Sequence, residues 1–130
     1  MVGGSNVATN QGVAATQSTT WNGNGAANAI DGDTATFAHT LKGLGEWIEV
    51  DLGSSVAADS VDIVNKDCGN SESTAKCLCR LSFANMILMD ASNNQLASIP
   101  LGNTCAMPTV PTATSCGAPT TVSYYAAMLV

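Results

Sequence analysis

Residues 24–53 constrain the fold most, because a polar, glycine-punctuated loop there runs directly into the most regular strand pattern of the chain. In residues 47–52 every second side chain is apolar, and this period of two predicts a half-buried β-strand. Further strands are predicted at residues 60–65, 80–90, 95–101 and 120–130. The sequence shows no amphipathic helix, and only residues 26–30 could form a single helical turn. It therefore predicts an all-β sandwich.

The loop before the first of these strands has oxygen-bearing side chains at short spacings. Asn28, Asp31 and Asp33 surround Gly32, which permits a tight turn. Calcium binds six to eight oxygen ligands, and a tight loop of carboxylates and amides supplies them. Alternatively, Asp31 and Asp33 form Asx turns that shape the loop without a metal. From the residues alone the two interpretations are about equal.

Composition narrows the range of partners. The chain has 130 residues, enough for one domain over residues 1–130, and a formal net charge of −6 with only four basic residues. This balance argues against nucleic acid and anionic membranes. No apolar run approaches the length of a membrane span, and Trp21 lacks the basic neighbours that membrane insertion needs. The first ten residues do not resemble a signal peptide, so we expect either a signal already removed or an excerpt of a longer protein.

Five cysteines in a small chain with one histidine favour disulfides over a zinc site. Zinc sites use Cys-x-x-Cys pairs or several histidines, and Cys77-Leu78-Cys79 does not provide that spacing. We therefore expect an oxidising, extracellular setting. The odd count leaves one thiol free or available to another chain.

No catalytic motif accompanies the single histidine, His39. The sequence shows neither a nucleophile elbow nor a glycine-rich phosphate loop nor a histidine-rich metal motif. A solitary histidine in a loop is more often a hydrogen-bond partner than a base. The sequence therefore predicts a binding module rather than an enzyme.

Three segments in the same order resemble the coagulation-factor C-type (discoidin) domain and its relatives, the fucose-binding F-type lectins. They are AANAIDGD, EWIEVDLG and SVDIVN, and the resemblance extends over residues 6–130. It implies an antiparallel jelly-roll β-sandwich of the galactose-binding-domain type, with binding loops at one end. It also implies a first edge strand within residues 6–19, where the residues alone show no clear period.

The resemblance implies a glycan site at His39, Lys66 and Arg80. F-type lectins hold fucose with one histidine and two arginines, and these three residues lie at the matching positions. Lys66 departs from the pattern, because an ammonium lacks the bidentate geometry of a guanidinium. Trp21, in a turn rich in asparagine and glycine, is expected to be exposed and able to stack on a sugar. The alternative is that Lys66 and Arg80 are solvated loop-end charges.

The same resemblance adds the main-chain carbonyl of Thr36 to the possible calcium ligands Asn28, Asp31 and Asp33. It implies a structural calcium ion. One departure is that the lectins complete the site with an acidic residue on a last strand, which this chain does not show.

Disulfide pairing is expected at two places. The family pattern pairs cysteines around the proline-rich segment between Cys105 and Cys116. Cys68 is expected to pair with Cys77 or Cys79, which fastens residues 69–76. In an extended segment Cys77 and Cys79 point to the same face, so only one of them is favoured and the other is the fifth cysteine.

These features together predict an extracellular, carbohydrate-binding module that is stabilised by Ca²⁺ and binds a glycan or glycoprotein. The alternative is a structural or adhesive repeat of a larger surface protein or fibre, with copies of itself or neighbouring domains as partners. The family's sandwich has a further strand after the one matching residues 120–130. We expect a segment outside this chain, or residues 1–8, to cover the edge that its loss would expose.

Overall fold

Seven β-strands form the computed structural model, which describes residues 6–58, 60–66, 68, 77–113 and 120–129. They are β1 (Ala14–Gln17), β2 (Glu46–Ala58), β3 (Ser60–Val64), β4 (Asn85–Met89), β5 (Gln95–Pro100), β6 (Thr109–Ala113) and β7 (Thr120–Leu129). Short 3-10 turns lie at Ala26–Ala29 and Cys79–Leu81. Over the described ranges no helix is long and apolar enough to cross a membrane. The predicted all-β class is confirmed.

The strands form two sheets that enclose the core. The larger sheet has the order β1-β2-β7-β4-β5, the smaller pairs β3 with β6, and every pairing is antiparallel. Met86 and Leu88 of β4 are fully buried, and Val61 and Ile63 of β3 pack against their cluster. Because β3 belongs to the smaller sheet, the apolar core lies between two sheets, as in a sandwich.

Strand register brings the β1–β2 loop and the segment before β4 to one end of the molecule, which we call the loop end. Gln17 pairs with Ile48, Glu46 with Leu129 and Asn85 with Met128. The last residue of β1, the first of β2 and the first of β4 therefore lie at the same end of the larger sheet. The long β1–β2 loop and the segment before β4 both emerge there.

Most predicted strands are confirmed, with two differences in extent. The strand predicted over residues 80–90 begins only at Asn85, because Cys79–Leu81 forms a 3-10 turn and Phe83 has a φ of +64°. The proline-rich segment 105–119, predicted not to be a continuous strand, contains the five-residue β6. Pro111 is tolerated there because β6 pairs only with β3 in the described residues, so the missing N–H interrupts no second ladder.

The final strand lies inside the larger sheet, not beside an open edge. β7 pairs with β2 on one side and with β4 on the other. The edge strands of that sheet are β1, as the family resemblance implied, and β5. No open edge therefore lies beside β7 in the described residues, and covering of an exposed edge by another segment stays a prediction. Residues 1–5, which were considered as part of a covering strand, lie outside the described residues.

The disulfides correct the predicted connectivity. Cys68 pairs with Cys77 (Cα–Cα 5.9 Å) and Cys79 pairs with Cys105 (Cα–Cα 4.0 Å). Pairing of Cys105 with Cys116 is therefore wrong. Of the two partners expected for Cys68, Cys77 is confirmed and Cys79 is wrong. Cys116 itself lies outside the described residues.

The physical reason for the error is the conformation of residues 77–81. They form a helical turn, not an extended segment. Successive helical residues are about 100° apart, so Cys77 and Cys79 diverge by about 200° and each can reach a different partner. Ser82 and Thr104 tie this turn to the segment after β5, because Thr104 N donates to Ser82 Oγ over 2.9 Å. That contact brings Cys79 beside Cys105.

Candidate functional site

The β1–β2 loop folds back on itself to place His39 beside the Trp21 turn. Trp21 N donates to His39 O over 2.8 Å, and His39 N donates to Asn24 O over 3.0 Å. Asn22 and Gly23 take positive φ values of 49° and 75°, as the predicted Asn-Gly turn requires. These main-chain bonds fix the position of His39 relative to Trp21.

Three ring systems and one ammonium group form a continuous row at the loop end, which we call the aromatic row. The ring centroids of Trp21 and His39 are 4.8 Å apart, and those of Phe37 and His39 are 6.3 Å apart with an edge-to-face tilt. Lys66 Nζ lies 3.5 Å from the centroid of the Phe37 ring. Trp21 is 45% exposed, so the row opens to solvent at that end.

The contact of His39 with a main-chain carbonyl indicates which ring nitrogen carries the hydrogen. Nδ1 lies 2.5 Å from Thr40 O. A carbonyl oxygen only accepts, so Nδ1 carries the hydrogen and donates it. In the neutral ring Nε2 is then the remaining acceptor, and in the protonated ring it is a second donor.

Lys66 lies two residues after β3 of the smaller sheet, and its side chain contacts the aromatic row. It follows Asn65, whose Nδ2 donates to Leu78 O (2.9 Å) and Met107 O (3.2 Å), while its Oδ1 accepts from Lys66 N (2.9 Å). The Phe37 ring holds the ammonium by a cation–π contact, worth about 0.5–1 kcal/mol at exposed sites. The fold thus brings together Trp21, His39 and Lys66 from the predicted glycan site.

Arg80 lies at the same end but in the neighbouring turn Cys79–Leu81, where it is exposed. It is not part of the aromatic row. Phe37, by contrast, is central to the row and was not predicted, because one aromatic residue in a polar loop shows no period or motif. The contact with Lys66 is visible only in three dimensions.

Gln17, at the end of β1, fastens the loop segments to one another. Its Nε2 lies 2.7 Å from Thr19 O, 2.9 Å from Thr20 Oγ1 and 3.2 Å from both Asn24 O and His39 O. Two amide hydrogens are thus shared among four acceptors. Its buried Oε1 has no hydrogen-bond partner among the described residues. A lone glutamine in a short edge strand carries no pattern, so sequence reasoning missed it.

The predicted calcium loop places several oxygens around one hydroxyl group. Thr36 Oγ1 lies 2.6 Å from Asp31 Oδ2, 3.0 Å from Asp33 O and 3.5 Å from Asn28 O. One hydroxyl hydrogen cannot be donated to three acceptors at once. The hydrogen bond from the Thr36 hydroxyl, followed by that from Asp33 N, holds the pKa of Asp31 below its ordinary value.

Both interpretations of this loop have a basis in the geometry. Asp33 N donates to Asp31 Oδ1 and Ala35 N donates to Asp33 Oδ1, each over 2.8 Å, so both aspartates form Asx turns. The oxygens around Thr36 nevertheless suit calcium, since carboxylate, carbonyl and hydroxyl groups are hard ligands. In the described residues no cluster of three or more His, Cys, Asp or Glu side chains could hold a metal, so carbonyls would complete the set.

Two further contacts involve residues of the predicted ligand set. The Asn28 side chain donates through Nδ2 to Phe37 O over 3.1 Å, and it is the Asn28 carbonyl that faces Thr36. Thr36 presents its hydroxyl to the other oxygens. The Asn28 amide thereby links the oxygen-rich loop to the aromatic row through the Phe37 backbone.

A two-sheet antiparallel sandwich with a binding end built from loops is the architecture of galactose-binding-domain-like modules. Residues 28–79 match the family model of the F5/F8 type C group described as a NedA-like, galactose-binding domain. This match confirms the resemblance to discoidin-type domains that the sequence predicted. A comparison with curated protein sequences finds no match.

Solved structures with the same fold include three lectin-type modules. A histidine mutant of the lectin binding domain of lectinolysin complexed with Lewis b has a TM-score of 0.82 and 24% identity, covering 99% of this chain and 87% of that one. A fucose binding module of Streptococcus pneumoniae, SpX-3, has a TM-score of 0.79 and 18% identity, covering 96% and 86%. An f-lectin from striped bass (Morone saxatilis) serum has a TM-score of 0.70 and 21% identity, covering 98% and 42%. At these identities the likeness shows the fold.

Proposed function

We propose that this protein is a carbohydrate-binding module that holds a neutral, fucose-type sugar at the loop end. The observation that carries the proposal is the aromatic row, in which Trp21, His39 and Phe37 are joined to the Lys66 ammonium. The similar structures support it, because one is a complex with Lewis b and another is a fucose binding module. A binding site needs no catalytic group, and the proposed role is recognition rather than catalysis.

Each group of the row has a task that suits a sugar. The exposed face of Trp21 offers an apolar surface to the C–H groups of a pyranose ring. Lys66 Nζ donates hydrogen bonds to hydroxyl or ring oxygens, and Nε2 of the neutral His39 ring accepts one from a sugar hydroxyl group. Arg80 adds a guanidinium from the neighbouring turn, with five donors in a fixed geometry. Lys66 gives a single point of contact, so we propose that this site grips its sugar less tightly than one with two arginines.

The proposed sugar site is tested by removing its two polar side chains, His39 and Lys66, one at a time. His39→Ala and Lys66→Ala should each weaken binding of L-fucose or a fucosylated glycan about tenfold, the effect of losing one hydrogen bond with a charged or strongly polar group. Isothermal titration calorimetry gives the affinities, after a glycan array has identified the bound sugar.

Lys42→Ala is the matched control, because Lys42 is an exposed lysine of the β1–β2 loop, which also carries His39, and lies outside the aromatic row. It should leave the affinity unchanged. The proposal fails if the wild-type protein binds no sugar at millimolar concentration, or if Lys42→Ala weakens binding as much as Lys66→Ala.

We further propose that the oxygen-rich loop binds a structural calcium ion. The ion would be held by Asp31, Asp33, Thr36 and the Asn28 carbonyl. It would attract all the oxygens that now surround the Thr36 hydroxyl group, whose one hydrogen cannot be donated to three acceptors. Because Asn28 Nδ2 donates to Phe37 O, an ordered loop would also fix one ring of the aromatic row. Its role is to order the site, and no step of recognition passes through the metal.

Calcium should raise the free energy of unfolding by about 2.7 kcal/mol when its concentration is one hundred times its dissociation constant. Asp31→Ala should abolish this rise, measured as the melting temperature with calcium and with chelator. Asp90→Ala is the control, since Asp90 is an exposed carboxylate with a similar hydrogen-bonded turn in the β4–β5 connection. It should lower stability but preserve the calcium response. If calcium does not change the wild-type melting temperature, the proposed calcium site is wrong, and Asp31 and Asp33 serve only to form Asx turns.

The proposed setting is extracellular. Two disulfides, Cys68–Cys77 and Cys79–Cys105, persist in oxidising compartments and are rare in reducing ones. The glycan partners that the site suits are displayed on glycoproteins and cell surfaces.

A further inference from the structure

Phe83 has an exposed ring on a backbone conformation that favours glycine. Its side chain is 67% exposed and its φ is +64°. Ser82 (φ −58°, ψ 136°) precedes it, and Ala84 N donates to Leu81 O over 3.3 Å. These values describe a type II β-turn over residues 81–84, with Phe83 at the third position. That position favours glycine or asparagine because its φ is positive.

The strain at Phe83 is not offset by burial of its ring. A left-handed conformation is unfavourable for a bulky residue with a Cβ atom. The other non-glycine residues with positive φ in the described ranges, Asn22 and Asn93, are asparagines, which tolerate it. The surrounding backbone imposes the conformation, since Phe83 N donates to Gly102 O over 2.7 Å and Leu101 N donates to Ala84 O over 2.9 Å. The fold therefore maintains a strained turn that presents an aromatic ring to solvent.

The ring lies at the loop end, across the sheet from the aromatic row. Phe83 lies two residues before β4, which begins at Asn85. Asn85 of β4 and Trp47 of β2 both pair with Met128 of β7, so the starts of β4 and β2 lie at the same end of the sheet. β4 is three strands away from β1 in the sheet. With neighbouring strands about 4.8 Å apart, that is a separation of about 14 Å. One monosaccharide ring cannot extend over that distance, whereas an oligosaccharide can.

The chemistry of this part of the surface suits a sugar ring. An aromatic face attracts the weakly positive C–H groups on the apolar side of a pyranose. Arg80, three residues earlier and exposed, places hydrogen-bond donors at the same turn. An anionic lipid surface does not fit, because the chain carries a net charge of −6 and only four basic residues.

We propose that Phe83 forms a second sugar subsite, which takes a further residue of an oligosaccharide whose first residue is held at the aromatic row. The proposal rests on the proposed sugar-binding function. It goes further, because it predicts that the protein prefers branched or linear oligosaccharides to monosaccharides. Phe83 acts here as a platform for stacking, and the turn that carries Arg80 ends two residues before it.

Phe83→Gly tests the proposal, because glycine removes the ring and relieves the strain together. Calorimetric titrations with L-fucose and with the Lewis b tetrasaccharide are compared for the wild-type and variant proteins. The variant should bind the tetrasaccharide about fivefold more weakly, the effect of losing one aromatic contact. Its affinity for L-fucose should not change, and its melting temperature should be equal to or higher than that of the wild type.

Phe83→Asn is a second variant that tolerates the positive φ and should give the same result. Leu96→Asn is the control, since Leu96 is an exposed apolar residue of β5 beside the β4–β5 turn, at the opposite end of the sheet. It should leave both affinities unchanged.

Three results would overturn the subsite while leaving the proposed function intact. The first is that the wild type binds both sugars equally well. The second is that Phe83→Gly weakens binding of L-fucose as much as binding of the tetrasaccharide. Alternatively, sedimentation would show that Phe83→Gly dissociates a dimer, which would make the ring a contact between copies. A wild-type protein that binds neither sugar would overturn the proposed function and the subsite together.

Discussion

Replacing both Cys79 and Cys105 with alanine is expected to lower the free energy of unfolding by about 3.5 kcal/mol. The bond closes a loop with a sequence separation of 26 residues, and the chain-entropy model gives that value for such a loop. The bond also fixes the turn that carries Arg80 and leads to Phe83, so the loop end should lose order as well. Urea unfolding at equilibrium, followed by the fluorescence of Trp21 and Trp47, measures the change.

The other disulfide provides the comparison. Cys68 and Cys77 are separated by 9 residues, so replacing both with alanine should cost only about 2.6 kcal/mol in the same model. Peptide mapping of the oxidised protein should join Cys79 to Cys105. A peptide that joined Cys105 to Cys116 would contradict this connectivity, as would a larger loss of stability for the pair with the shorter loop.

Local patterns predicted the strands because strand formation here follows alternation. Residues 47–52 alternate and form the centre of β2, and Val61 and Ile63 alternate and face the core from β3. The start of β4 was placed too early because apolar residues continue at 81 and 83. β4 begins only at Asn85 because residues 81–84 form a turn in which Phe83 takes a positive φ. That turn is held by the hydrogen bond from Phe83 N to Gly102 O, which joins residues 19 positions apart. No local period records such a contact.

The site could be predicted only as far as the family resemblance reached. The resemblance named His39, in the β1–β2 loop, and Lys66, after β3 of the smaller sheet, and both side chains contact Phe37. It did not name Phe37, whose role depends on a ring-to-ammonium distance. Disulfide pairing failed for a related reason. It depends on whether residues 77–79 are helical or extended, and the polar residues before them do not decide that.

Gln17→Glu is expected to destabilise the protein by about 3 kcal/mol at neutral pH, the cost of leaving a charged group without a partner. The two side chains have nearly the same shape, so the change is electrostatic. Nε2 of Gln17 faces four oxygen acceptors, and a carboxylate oxygen in its place would face the same four with no hydrogen to donate.

The missing hydrogen-bond donors also determine how the difference in the free energy of unfolding between Gln17→Glu and the wild type depends on pH. The charged form of the introduced carboxyl group would be disfavoured in the folded state, so its pKa there would be higher than in the unfolded chain. The folded state would then bind more protons, and the destabilisation would shrink as the pH falls through that raised pKa. Gln17→Leu, which cannot titrate, should show a constant difference.

The wild-type protein should respond to acid in the opposite direction. Hydroxyl groups of Ser18 and Thr19 donate to Glu46 and hold its pKa below the ordinary value. A group with a lowered folded-state pKa contributes stability above its unfolded pKa, about 4.3 for glutamate, and loses it as the pH falls. Unfolding curves measured from pH 8 to well below pH 4 would therefore separate the two effects.

Sugar binding provides a second measure of the same contact. Gln17 Nε2 bonds to the carbonyls of Asn24 and His39, the two residues whose main chains fix the Trp21 turn against the histidine. Gln17→Glu should therefore weaken binding of L-fucose at pH 7 and recover part of it near pH 5, while Gln17→Leu should remain weak at both. If Gln17→Glu matches the wild type in stability and affinity at pH 7, the four acceptors do not depend on this amide, and Gln17 does not position the site.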